Sequence, residues 1–302
     1  MKNLENMANN QRDEDVKLLF YSVLVGIVAG SFSSLYRYII HGIEGILAAI
    51  INYSREHLYI YPLLFVALIF ISFLVSKLKK MSKFCGGSGI PQVEAEIKGY
   101  INPNPEKLLF AKIVGGGLTA LAGFSVGREG PSIQLGASVG QGVAETFKAN
   151  RVQKNVFISS GAGAGLAAAF NAPIAGLMFV LEEVHHTFSP LVAVTTLTAA
   201  IVANFISLNV FGTHPSLNLG NDQRFPMEYY GYVVLLGIVL AIFGLAYHRL
   251  TLALPKIYKT LFPKVAPYYY CVIAFMLIIP LGMWNPHVLG GGGELVLALV
   301  KE

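Results

Sequence analysis

The chain has 302 residues, of which 54% are hydrophobic and 13% charged, and it carries a net charge of +5. Soluble domains carry about a quarter charged residues, so this composition excludes an ordinary soluble domain. The basic residues sit at the ends of apolar runs rather than on one polar face, which argues against a nucleic-acid partner.

Residues Met1 to Lys17 are polar and mixed in charge. They lack the basic-then-apolar order of a cleavable signal and read as a cytoplasmic arm. An apolar stretch from Leu18 to Ile51 follows, longer than the roughly 20 residues a crossing needs, so a tilted span is expected. After a polar break at Asn52 to His57, a second span runs from Leu58 to Val75. Lys77, Lys79, Lys80 and Lys83 come next. Basic residues accumulate on cytoplasmic loops, which puts the N-terminus and this loop inside and the Asn52 region outside.

Between Gly86 and Gly176 the apolar runs are short and broken by Gly and Pro: Leu108 to Phe124, Ile133 to Val143, and Val156 to Phe170. Such interrupted helices point to a transporter's binding site, because irregular backbone at membrane depth is tolerated only where it is buried or lines a wet cavity. Small residues packing helices tightly would look the same but would not explain charges inside the run. Further spans are expected at Leu191 to Leu208, Tyr232 to Leu254 and Ala266 to Met283. The polar stretch Asn209 to Tyr230 falls outside, and Arg249, Lys256, Lys259 and Lys264 mark another inside loop. Cys85 and Cys271 have no paired spacing, so neither a disulfide framework nor a zinc site is expected.

Three segments carry chemistry. In Gly87-Ser88-Gly89-Ile90-Pro91 the glycines allow close backbone approach, and Pro91 suits the first turn of a helix running to Lys98. Free N–H groups and the helix dipole favour an anion there, and the Ser88 hydroxyl adds a donor. The same pattern also fits a plain turn with Ser88 as N-cap. In Gly127-Arg128-Glu129-Gly130-Pro131-Ser132 a charged pair interrupts apolar sequence, a functional signal in a membrane protein. Glu129 at a helix N-terminus occupies the kind of site that binds a halide, so it suits a competitive gate; a structural Arg128–Glu129 pair is the alternative. Glu182 and Glu183 end the run from Asn171 to Leu181. Pointing about 100° apart on a helix, one suits a protein interior and proton relay, the other an aqueous edge. Two solvated residues at a helix end fit equally. His185 and His186 read as an interfacial end, with no spaced metal-ligand motif. Gly115 to Gly117 read as close helix packing, and Gly290 to Gly293 as a turn.

The set GSGIP at 87–91, GREGP at 127–131 and GAGAGLAAAFNAPIAGLMFVLEE at 161–183, in that order and spacing, resembles the CLC family of chloride channels and H+/Cl− exchange transporters (the voltage-gated chloride channel family) in its prokaryotic form. The resemblance implies an all-α, polytopic membrane fold with tilted and broken helices, arranged as an inverted repeat. Residues 18–210 then form the first repeat and 211–302 the beginning of the second. It implies H+/Cl− antiport rather than enzyme activity, with no cofactor and no metal. Chloride is the transported ligand, and membrane lipid, chloride and protons are the partners. A homodimer is implied for the full-length form, in the inner or plasma membrane. Ser88 corresponds to the serine that coordinates the central anion, in a site with Gly89, Ile90, Pro91, Gly127, Arg128 and Gly130. Glu129 corresponds to the external gating glutamate and Glu183 to the internal proton glutamate. A GxFxP segment and a later tyrosine, which complete the site in the family, have no counterpart here. The chain is therefore expected to be a truncation or a naturally short relative. A passive anion channel and a transport-dead scaffold are the other readings.

Overall fold

The structure, a computed structural model, describes residues 2–213, 226–292 and 296. All regular elements among them are helical. The first helix, α1 (Lys2–Glu56), takes in the stretch expected as a separate arm. No Gly or Pro stands between Lys2 and Lys17, so nothing in the backbone ends the helix there. The helices α2 (Tyr61–Met81), α8 (Pro190–Phe211), α9 (Tyr230–Leu261) and α10 (Cys271–Trp284) follow the apolar stretches read from the sequence. Among the described residues, five helical stretches are long and apolar enough to cross a membrane: Asp13–Glu56, Tyr61–Met81, Pro190–Phe211, Met227–Leu261 and Pro267–Trp284. Most of the polar stretch expected outside, residues 214–225, and Gly293 of the glycine run lie outside the described residues.

Between α2 and α8 lie the shorter elements α3 (Ile90–Ile97), α4 (Pro105–Leu121), α5 (Glu129–Thr146), α6 (Arg151–Phe170) and α7 (Pro173–Phe179). At 8 and 7 residues, α3 and α7 are too short to span a bilayer. Pro at the start of α3, α4 and α7 is tolerated because the first-turn N–H groups have no intrahelical partner. Asn150 and Gln153 form a reciprocal capping box that starts α6.

The core is where α1, α5, α6 and α8 meet, and small residues set the spacing. A side chain on Gly136 would collide with the Gly161 carbonyl, and one on Gly140 with the Phe157 carbonyl. Gly165 faces the Ser132 carbonyl in the same way. On the other side, a Cβ on Gly26 would lie 2.6 Å from the Ala199 carbonyl, and one on Gly30 2.7 Å from the Ala203 Cα. Backbones this close gain dispersion contact that lipid cannot match, which is how helices associate in membranes. The Gly115 to Gly117 reading holds too, since a Cβ on Gly116 would lie 2.5 Å from the Tyr36 hydroxyl. By contrast, α9 has no buried residue, and α10 meets α2 through Cys271 against Ser76 and the segment after α4 through Phe275 against Phe124. Both cysteines are free thiols.

Candidate anion site between two helix N-termini

The loop before α3 is held from three directions. Gly87 and Gly89 have φ of 77° and 110°, a left-handed conformation that glycine adopts without strain. The N-cap of α3 is Gly89 with no side-chain cap bond, so Ser88 is not the cap and its exposed hydroxyl is free for other use. Gln92 Nε2 donates to the Gly86 carbonyl at 3.1 Å, and Gln134 Nε2 of α5 donates to the Phe84 carbonyl at 2.8 Å. The third support is Lys112 of α4, only 5% exposed. Its Nζ donates to the carbonyls of Cys85, Gly87 and Ser88 at 3.2, 2.9 and 3.3 Å. A buried ammonium is tolerable only when its N–H groups are satisfied, and here all three are. With these carbonyls bound by Lys112, the loop amides and the first-turn N–H groups of α3 are left to an anion.

The second N-terminus is that of α5. The helix begins at Glu129, with Arg128 as an uncapped N-cap. Gly130 is the contact point. A Cβ there would collide with the Ser88 carbonyl and lie 2.6 Å from the Ser88 hydroxyl. Gly89 in turn would meet Gln134 Cβ at 2.8 Å and the Gly130 carbonyl at 2.8 Å. The starts of α3 and α5 are thus in backbone contact, which brings Ser88, Gly89 and Gly130 together. Ile90 and Pro91 form the first turn of α3, and Gly127 lies in the irregular segment before α5.

Arg128 and Glu129 form no ion pair among the described residues. The Arg128 guanidinium instead stands 5.8 Å over the Phe170 ring, and Glu129 is exposed. Beside it lies Arg37 of α1, 8% exposed, which donates to Asn171 Oδ1 at 3.3 Å and Ser207 Oγ at 3.4 Å and stacks 4.1 Å over Phe211. Arg37 and Arg128 are close enough to interact electrostatically. They form a positive locus with no carboxylate partner among the described ion pairs. Sequence reading missed Arg37 and Lys112. The available signal was a lone cation inside an apolar helix, which is costly unless used.

The acidic pair departs from expectation. Val180–His185 winds as a π-helix, so the spacing of about 100° does not apply to Glu182 and Glu183. Both side chains are exposed in this chain, so the expected division between interior and aqueous edge is not observed. The π turn seats His185 Nε2 2.7 Å from Ser159 Oγ and His186 Nε2 3.7 Å from Glu94 Oε1. The end of the π turn thus lies beside Glu94 in the C-terminal half of α3. Among the described residues, no group of three or more His, Cys, Asp or Glu side chains is placed to hold a metal.

Apolar spanning helices, broken helices between them, and two helix N-termini abutting at one point define a polytopic all-helical membrane protein. The family model described as voltage gated chloride channel matches residues 67–302. The H+/Cl− exchange transporters ClcA of Salmonella schwarzengrund and Salmonella paratyphi A are each 28% identical over 251 residues, 80% of this chain and 52% of the relative. The crystal structure of a slow cyanobacterial Cl−/H+ antiporter superposes with a TM-score of 0.78 at 27% identity, over 91% of this chain and 66% of that one. A CLC-type fluoride/proton antiporter shares the fold at a TM-score of 0.70 and 22% identity, over 90% of this chain and 66% of that one. The chain belongs to the voltage-gated chloride channel family. It spans about half the length of the curated relatives it matches.

Proposed function

We propose that the chain forms the anion-binding half of a proton-coupled chloride transporter. The observation that carries this reading is the backbone contact between Ser88 and Gly130, which joins the N-termini of α3 and α5 at one point. Two positive dipole ends, loop amides, the Ser88 hydroxyl and the Lys112 charge behind them suit one monovalent anion. The names of the relatives support exchange of chloride for protons. Glu129, first residue of α5, has a carboxylate that competes with the anion when ionised and withdraws when protonated. Glu183, beside α3, takes protons from the side that carries Lys77 to Lys83. Residues 18–210 are the first repeat and 211–302 the start of the second. The basic loop faces the cytoplasm with the N-terminus, in the plasma or inner membrane, and the complete protein is a homodimer.

The test is paired chloride and proton flux in liposomes, for the full-length protein and Glu129→Gln. The variant is expected to move chloride without protons and to lose the pH dependence of chloride flux. Proton coupling or pH dependence equal to that of the unaltered protein would refute the gate.

A further inference from the structure

Glu96 lies on the same short helix as Ser88's site, near its other end. Seven residues separate it from Gly89, about 10 Å along the axis. It is 6% exposed, and its Oε1 has no hydrogen-bond partner. Its neighbour Glu94, on the opposite face of α3, is compensated: Lys98 bonds to it, and His186 approaches it. The charged groups facing Glu96 are Lys154 of α6 and Glu145 of α5, and they are engaged with each other. Lys154 Nζ also donates to Asn102 Oδ1 at 2.8 Å, and Gln141 Nε2 donates to Glu145 Oε1 at 2.8 Å. His185, from the π turn, is held by Ser159. Glu96 is thus a buried carboxyl with a free oxygen and no dedicated cation.

We propose that Glu96 is an additional proton-binding residue, which couples protonation at this end of the bundle to anion occupancy at the N-terminus of α3. The proposal rests on the α3 anion site described under Proposed function. A buried carboxyl without a counter-ion prefers its neutral form. Burial pushes Glu96 up to about 8, with Lys154 pulling it down and Glu145 pushing it up. Its proton therefore exchanges near neutral pH. Ionised Glu96 sits at the negative end of the α3 dipole and repels an anion at the positive end. At about 10 Å and an effective dielectric constant of about 20, that repulsion weakens anion binding about tenfold. Linkage is reciprocal, so a bound anion favours the proton on Glu96 to the same degree.

The experiment is chloride titration calorimetry on the purified protein at about pH 6.5 and pH 9. It is made in a Glu129→Gln background so that the gate carboxylate does not contribute. Lys112, which burial pulls down to about 8, loses its charge over the same range and weakens binding in every variant; ionised Glu96 is expected to weaken the parent by about a further fivefold at pH 9. Adding Glu96→Gln should remove that further loss and leave only the part due to Lys112, whereas Glu96→Asp should retain the parent's full pH dependence. A purely structural role for Glu96 would shift affinity equally at both pH values and leave the parent's full pH dependence in Glu96→Gln, and that result overturns the proposal. If the parent binds with no pH dependence, the coupling is absent and the proposal fails while the α3 site stands. If neither protein binds chloride at either pH, the α3 site itself fails, and the coupling with it.

Discussion

Replacing Lys112 with Met removes a charge and three hydrogen bonds while keeping an unbranched chain of similar length. The structure sets two costs. The carbonyls of Cys85, Gly87 and Ser88 lose their common donor. At about 1 kcal/mol for each orphaned acceptor, the loop loses about 3 kcal/mol. The second cost falls on the site. Lys112 Nζ is 3.3 Å from the Ser88 carbonyl oxygen. An anion on the Ser88 hydroxyl then lies about 7 Å from the ammonium, where an effective dielectric constant of about 20 gives an attraction of about 2.4 kcal/mol. That corresponds to about a 50-fold loss of affinity. Chloride titration calorimetry in detergent measures it directly, with gel filtration and circular dichroism to establish that Lys112→Met is folded. A folded variant with unaltered chloride affinity would refute the assignment of Lys112 as the charge behind the site.

Gly130→Ala forces a methyl group into the Ser88 backbone, a collision that no side-chain motion relieves, and should destabilise the protein by about 2 kcal/mol in thermal unfolding. Gly142, on the same helix, is the control, since a methyl group there would have nothing within 4 Å; Gly142→Ala should be neutral or stabilising by up to about 1 kcal/mol. Equal effects from both would mean that α3 and α5 are not in contact. Glu183→Gln should abolish proton movement in liposomes while chloride transport persists, and Glu182→Gln should leave both. Because the π turn leaves both side chains exposed, paired proton and chloride fluxes must separate them, and equal loss from both would refute the assignment.

The sequence alone determined the spans, the broken middle of the chain and the positions of the two glycine- and proline-marked helix starts. These are local properties: hydropathy is read over a window of about 20 residues, and Gly and Pro impose their backbone preferences on the residues beside them. Glu129 stands out in the sequence because a charge inside an apolar run is costly. Its separation from Arg128 does not, since the stacking of Arg128 on Phe170 depends on how α5 and α6 pack. Tertiary structure decided what stands behind the site. Lys112 reaches Ser88 across 24 residues and Arg37 reaches Asn171 across 134, pairings set by close packing that leaves no local trace. It also decided the winding of Val180–His185, where the contacts of His185 with Ser159 and His186 with Glu94 accompany a π turn in a stretch whose residues alone suit an α-helix. Glu96 shows the same division. Its sequence position marks it as one more charged residue on a short helix, and only the packing of α5 and α6 over it removes the water that would otherwise keep it ionised.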